Sequence, residues 1–247
     1  MISILSAVKD RQEHLLSSVS SWIDCECVSE IIITDWGSKE PICDKLPHSE
    51  KIRIIRVNPD HCEYWSFSQA YNLSARICYS DYLLFINADE IIVDPKQLCS
   101  LERPSEDFYY EGVSWDSDKA HGVYFLYMMR EMFWKVNGFN ERLIGYGYDD
   151  VDIRKRLRSE GFVSKPADAK IEHIKHKAEH KSRENMVNYG ISWVYPWEKD
   201  EKMIELENFN TEGNVIYCDI EKSSQITKDM MRQRDSLGGA LSRMLKE

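Results

Sequence analysis

Over the first hundred residues, short continuous apolar runs alternate with sets of apolar positions at helical spacing. Ile2 to Val8 is a run with several β-branched residues, and Leu15, Leu16, Val19, Trp22 and Ile23 then recur at intervals of three and four. The pattern predicts a strand feeding a helix. The run Glu30 to Asp35 stops at Trp36-Gly37-Ser38, and Lys51 to Val57 stops at Asn58-Pro59, so both are strands ended by turn residues. Ser68 is placed to cap a helix that carries Ala70, Leu73 and Ile77 on one face, ahead of the most apolar strand, Tyr82 to Ile86. Near-continuous apolar strands separated by helices predict an α/β fold with a mainly parallel sheet covered on both faces.

From about Phe108 the pattern changes. An aromatic and Met-rich stretch ends in Tyr124 to Met129, followed by Asn137-Gly138-Phe139-Asn140-Glu141 and a loop from Gly145 to Asp150. A helix is expected from Asp150 to about Gly161, with Ile153 and Leu157 on one face and acidic residues at its start, where the helix dipole favours them. His173, His176 and His180 come next. The last fifty residues are polar and charged, with helix expected near the end. With neither internal repeats nor a low-complexity linker, the chain reads as one domain over 1–190 and a C-terminal extension over 191–247.

The 247 residues suffice for a sizeable core, and 42 acidic against 32 basic residues leave a net charge of -10. That balance argues against broad electrostatic binding to nucleic acid or to an anionic membrane, while leaving room for a local basic patch. No stretch approaches the roughly 20 apolar residues of a membrane helix, and the start does not read as a secretory signal, so a cytoplasmic protein is expected. Seven scattered cysteines, odd in number and without a CxxC pair, suggest mostly reduced thiols, with neither a disulfide framework nor a four-cysteine zinc site.

In parallel sheets ligands bind outside the carboxyl ends of the strands. The residues there are Lys9-Asp10-Arg11, Asp35-Trp36-Gly37-Ser38 and Asn87-Ala88-Asp89-Glu90. A carboxylate at Asp89 could hold a divalent ion between protein and a diphosphate, although a strand ending in Asn and Asp is also ordinary turn chemistry. In Gly145-Tyr146-Gly147-Tyr148-Asp149-Asp150-Val151-Asp152, glycines allow a mobile loop and three carboxylates gather at a helix start. One carboxylate could be a general base and the tyrosines a platform for a sugar; the plain alternative is capping and packing. His173 and His176 could complete a metal shell begun at Asp89, or belong to a basic surface segment.

Taken in order, these segments resemble the GT-A fold glycosyltransferases: family 2 enzymes in the first half, and the β-1,4-galactosyltransferase and chondroitin polymerase group in both. The resemblance runs from Ile2 to about Asn188. Ala7-Val8-Lys9-Asp10-Arg11-Gln12-Glu13-His14-Leu15 looks like the group's nucleotide-binding first loop, Phe67 to Asn72 like its nucleotide-facing helix, and Asn87-Ala88-Asp89 stands in the place of its DxD. Asn137-Gly138-Phe139 and Gly145 to Asp152 are similar to its NGF and GWGGEDDD motifs, and His176 falls where its metal-binding histidine follows.

The resemblance implies a nucleotide-binding half over 1–100 and an acceptor-binding half over 101–190. It makes Asp89, His176 and His173 ligands of Mn²⁺ or Mg²⁺, and sets Ala7, Val8, Lys9, Arg11, Asp35, Asn72 and Asn87 around the nucleotide. Asp150 becomes the general base, with Asp149, Tyr146 and Gly147 on the acceptor sugar. The expected activity is inverting, metal-dependent transfer from a nucleotide-sugar, a UDP-sugar first of all, to a saccharide or glycolipid acceptor. Surface polysaccharide synthesis at the inner membrane face would suit such an enzyme. Three positions depart from the group: Asn87 supplies no charge at the first DxD position, Tyr146 replaces the lid tryptophan, and Trp36 stands where family 2 enzymes carry an acid. A non-catalytic saccharide- or nucleotide-binding protein of the same fold is the alternative. A nucleotidyltransferase fits less well, because Lys9-Asp10-Arg11 has no glycine for a phosphate loop.

Overall fold

The computed structural model describes residues 1–112, 124–176, 187–192, 197–198, 201–202 and 204–244. Its elements run β1 (Ile2–Val8), α1 (Gln12–Ile23), β2 (Val28–Asp35), β3 (Ile52–Val57), α2 (Phe67–Ile77), β4 (Tyr82–Ile86), β5 (Glu90–Ile92), α3 (Pro95–Ser100), β6 (Phe108–Gly112), β7 (Phe125–Met129), α4 (Arg130–Lys135), α5 (Asp149–Ser159), β8 (Val163–Ala167), β9 (Ile171–His173), a short helix α6 (187–192), β10 (Glu207–Glu212), β11 (Val215–Asp219) and α7 (Glu221–Met244).

The main sheet has the strand order β10-β11-β3-β2-β1-β4-β7-β6-β8. Strands β11, β3, β2, β1 and β4 pair in parallel, whereas β7 runs antiparallel to both β4 and β6. Alternate residues of each central strand bury opposite faces. Leu5, Ile32, Ile55 and Phe85 pack towards Ala70, Tyr71 and Leu73 of α2, and Ile4, Ile31, Ile33 and Leu84 pack towards Leu15, Val19 and Trp22 of α1. The chain winds from β1 through β2 to β3 on one side and places β4 on the other side of β1. The strand order therefore reverses at β1, and the loops after β1 and β4 open a crevice at this switch point.

Three sequence expectations change. Helix α2 is capped by Ser66, whose hydroxyl accepts from the Gln69 amide at 3.3 Å, and Ser68 lies inside the helix with its hydroxyl turned to Asp149. Two serines two residues apart both satisfy the cap pattern, and the extended backbone at Ser66 decides between them. The C-terminal stretch carries the expected helix, but it also contributes β10 and β11, which extend the central sheet beyond β3. Of the seven cysteines, Cys27 and Cys99 form a disulfide tying the α1–β2 turn to the end of α3, and the other five are free. The expectation of reduced thiols is thus corrected at two positions, where packing brings together cysteines that lie 72 residues apart.

Candidate active site

The turn after β4 is built from behind by α1. Ser18 donates to the Ala88 carbonyl at 2.7 Å, Trp22 Nε1 donates to the Glu90 carbonyl at 2.9 Å, and the Ile92 amide donates to Ser21 Oγ at 3.0 Å. The Glu90 carboxylate is fully buried and accepts from the backbone amides of Asn87, at 3.1 Å, and Tyr124. Burial pushes its pKa well above the ordinary carboxylate range.

Strand β9 supplies the histidines. It pairs antiparallel with β5, setting Glu90 opposite His173, and the Ile174 amide donates to the Asp89 carbonyl at 2.8 Å. His176 Nε2 then lies 2.9 Å from Asp89 Oδ2, and His173 Nδ1 lies 3.8 Å from Asp89 Oδ1. One ligand atom from each of Asp89, His173 and His176 falls within 4.8 Å of the others. Asp89 Oδ1 is buried and accepts no hydrogen bond among the described residues, so a lone pair remains for a cation. A carboxylate and two imidazoles suit a divalent ion such as Mn²⁺. His180 lies outside the described residues.

The loops after β1 and β2 latch together. The Asp10 amide donates to Ser38 Oγ at 3.0 Å and the Lys39 amide to Asp10 Oδ1 at 2.8 Å. Ala7 and Val8 form the buried end of β1, Lys9 donates to the Cys62 carbonyl, and Arg11 sits half-buried at the start of α1. Asn87, half-buried, accepts from Tyr71 Oη at 3.4 Å. Trp36 is buried, its indole N–H donating to the Tyr64 carbonyl at 2.8 Å.

Two residues expected to contact the nucleotide do other work. Asp35 is 0% exposed, and its carboxylate is taken by Arg56 at 2.6 Å and by the amides of Ser38 and Ile42. With its oxygens bound inside the protein, the carboxylate shapes the turn after β2. Asn72 is also fully buried and clamps Phe139 and Glu141. It holds the Asn137–Glu141 segment against α2 and presents no polar atom to a ligand.

In the loop ahead of α5, the Gly145 amide donates to the Trp65 carbonyl at 2.9 Å, and Asn188 Nδ2 donates to the Gly147 carbonyl at 2.7 Å. Gly147 has φ +89 and Tyr148 has φ +74, and this tight left-handed path delivers Asp149 to the start of α5. Tyr146 is 51% exposed. Asp149 is 6% exposed and accepts from Ser68 at 2.6 Å; burial pushes its pKa up to about 8 against the lowering effect of that bond. Asp150 is more open and pairs with Arg154 at 2.7 Å, one helical turn on. Tyr124 connects the two sides: its amide is bonded to Glu90 beside the metal cluster, and its phenol is buried within the electrostatic reach of Asp149, Asp150 and Arg154. Sequence reasoning did not name Ser18 or Arg154, and it read Trp22 only as a core position and Ser68 only as a cap. Only Arg154 carried a signal, its i, i+4 spacing from Asp150.

The architecture is the GT-A glycosyltransferase fold, and its sequence counterpart lies where the histidines and acids are. Residues 106–181 match the family model described as the N-terminal domain of galactosyltransferase. No curated protein sequence gives a match. Among solved structures, the catalytic domain of Drosophila β-1,4-galactosyltransferase 7 in complex with xylobiose superposes with a TM-score of 0.54 at 14% identity, covering 88% of this chain and 92% of that one. A mutant of the same enzyme, in complex with manganese, UDP-Gal and xylobiose, gives 0.55 at 13% identity with the same coverage. A mannosyltransferase from Pyrobaculum calidifontis in complex with GDP-Man and Mn²⁺ gives 0.57 at 12% identity, covering 80% of this chain and 65% of that one. Identities this low establish the fold.

Proposed function

We propose that this chain is an inverting, divalent-metal-dependent glycosyltransferase that moves a hexosyl or N-acetylhexosaminyl group from a nucleotide-sugar, foremost a UDP-sugar, to a saccharide acceptor. The observation that carries the reading is the Asp89, His173 and His176 cluster after the strand next to the switch point of a GT-A sheet. These three residues would hold the ion, and a divalent ion there supplies neutralising charge for a departing nucleoside diphosphate. Ala7, Val8, Lys9, Arg11 and Asn87 line the nucleotide side, with the cations of Lys9 and Arg11 meeting the diphosphate or base. Asp35 and Asn72 frame that pocket from within.

Asp150 takes the proton from the acceptor hydroxyl as the hydroxyl oxygen bonds to the anomeric carbon and the bond to the diphosphate oxygen breaks. Arg154 keeps the Asp150 carboxylate oriented. Asp149, fixed by Ser68, hydrogen-bonds the acceptor sugar, Tyr146 stacks on it, and Gly147 gives the loop its turn. The complexes of the Drosophila galactosyltransferase with UDP-Gal, manganese and xylobiose support this choice of donor, metal and acceptor class. An acceptor on a lipid carrier or a growing surface polysaccharide would place the reaction at the cytoplasmic face of a membrane, which the enzyme would approach peripherally: no helix among the described residues is long and apolar enough to cross one. The net charge of -10 argues against nucleic acid as a partner.

The test is sugar transfer from a panel of UDP-sugars in the presence of Mn²⁺. Asp150→Asn should keep nucleotide binding and lose transfer by on the order of 100-fold or more, within the usual contribution of a general base. Full transfer by that variant would remove Asp150 from the role, and absence of turnover with every nucleotide-sugar would favour a binding protein.

A further inference from the structure

Helix α1 meets the Ala88–Ile92 segment along one stripe. Ser18 and Trp22, four residues apart, both donate to its backbone, and His14 lies one turn earlier on the same stripe. The His14 ring packs against that of His176 with centroids 5.1 Å apart, the same separation as between His173 and His176. His14 Nδ1 is buried and has no hydrogen-bond partner among the described residues. A leucine would fill the space without leaving a buried polar atom unsatisfied, which is costly. The nitrogen therefore points to a ligand brought to the site. Its own ring atoms stand outside the tight Asp89, His173 and His176 group, so its reach is to what surrounds the ion rather than to the ion.

We propose that His14 is a positioning residue of the cation site: its ring orients His176, and its Nδ1 hydrogen-bonds an oxygen ligand carried by the divalent cation. The inference rests on the cation reading given above. Two sources share that chemistry, solvent water and a donor phosphate, and residues that support metal ligands in this way affect affinity by about 10–100-fold.

The experiment measures Mn²⁺ affinity by electron paramagnetic resonance on the full chain, with Mn²⁺ alone and with Mn²⁺ plus UDP, and folding by thermal melting without metal. His14→Phe keeps the ring and removes the nitrogens; His14→Gln keeps a hydrogen-bonding group. The expected result is at least a tenfold loss of affinity in His14→Phe and recovery of most of it in His14→Gln. Loss with Mn²⁺ alone assigns the oxygen to water, and loss only with UDP assigns it to the phosphate. Wild-type affinity of His14→Phe in both arms overturns the inference, as does His14→Gln binding no better than His14→Phe. Asp89→Ala separates the two levels: if it abolishes Mn²⁺ binding while His14→Phe does not, the cation site stands and the role of His14 falls. If the unaltered chain binds no Mn²⁺, both fall.

Discussion

Asn72 and Phe139 are joined at both ends of one amide: Asn72 Nδ2 donates to the Phe139 carbonyl, and the Phe139 amide donates back to Asn72 Oδ1, each at 2.9 Å. The same Nδ2 reaches Glu141 Oε1 at 2.7 Å. This clamp explains the glycine beside it. Gly138 has φ +63, and a Cβ there would stand 2.7 Å from Asn72 Oδ1 and 3.1 Å from the Phe133 ring. Asn72→Ala strands several buried polar groups and should cost about 2–4 kcal/mol in urea unfolding. Gly138→Ala should cost on the order of 2 kcal/mol through strain and crowding. A loss below 0.5 kcal/mol in Asn72→Ala, on the scale of ordinary surface substitutions, would show that the clamp does not hold the segment.

The buried carboxyl of Asp149 gives the fold a pH dependence of known sign. Its pKa is pushed up to about 8 in the folded protein, against an unfolded value near the ordinary 3.8. Between these values the native state holds a proton that the unfolded state has released, so this residue's contribution to stability falls as pH rises from about 4 to 8. Asp149→Asn removes that dependence. Chemical denaturation at pH 5 and pH 8 should show the variant gaining on the unaltered chain at the higher pH, and an identical difference at both would contradict the assignment.

How much of this was legible in the sequence follows the physics of each part. Strands β1 to β4 and helix α1 declare themselves because their apolar residues are buried on both sheet faces or along one helix stripe. The grouping of Asp89 with His173 and His176 was legible because these residue types are scarce and chemically specific. The inward partners of Asp35 and Asn72 were not legible, because a polar residue beside a crevice and one turned inward look the same until those partners, Arg56 and Phe139, are known. Strand β10 escaped because all but one of its residues are exposed and none of the core depends on it. What holds it is pairing with β11, a relation no local pattern contains.

The cysteines provide a count. Titration of the denatured, unreduced chain should find five thiols, rising to seven after reduction. Replacing Cys27 or Cys99 by serine opens a link across 72 residues and should cost about 4 kcal/mol on the chain-entropy account. Seven thiols before reduction would refute the link.

Mn²⁺ should stabilise the folded chain, because a ligand that binds only the native state adds about 2.7 kcal/mol at a hundred times its dissociation constant. Thermal melting should therefore rise with Mn²⁺ and fall back with EDTA. Asp89→Ala and His176→Ala should melt at one temperature with or without the metal. A metal-dependent rise that persists in both variants would place the ion elsewhere.

Asp152 ties the acidic helix to the segment held by Asn72. Its carboxylate is buried, pairs with Arg156 at 2.7 Å and accepts from Ser192 at 2.5 Å. Arg156 in turn donates to the carbonyls of Val136 and Gly138, so one ion pair joins α5, α6 and the Gly138 turn. Removing one partner of a buried pair leaves the other charge uncompensated, which costs about 3–5 kcal/mol. Asp152→Ala should lose that much, and Asp152→Ala with Arg156→Met should lose less than the sum of the two single changes, because the second removes the stranded charge. Strict additivity in this double-mutant cycle would mean that the pair does not act as a unit. The same variants should lower transfer more than nucleotide binding, since the strut supports the helix that carries Asp149 and Asp150.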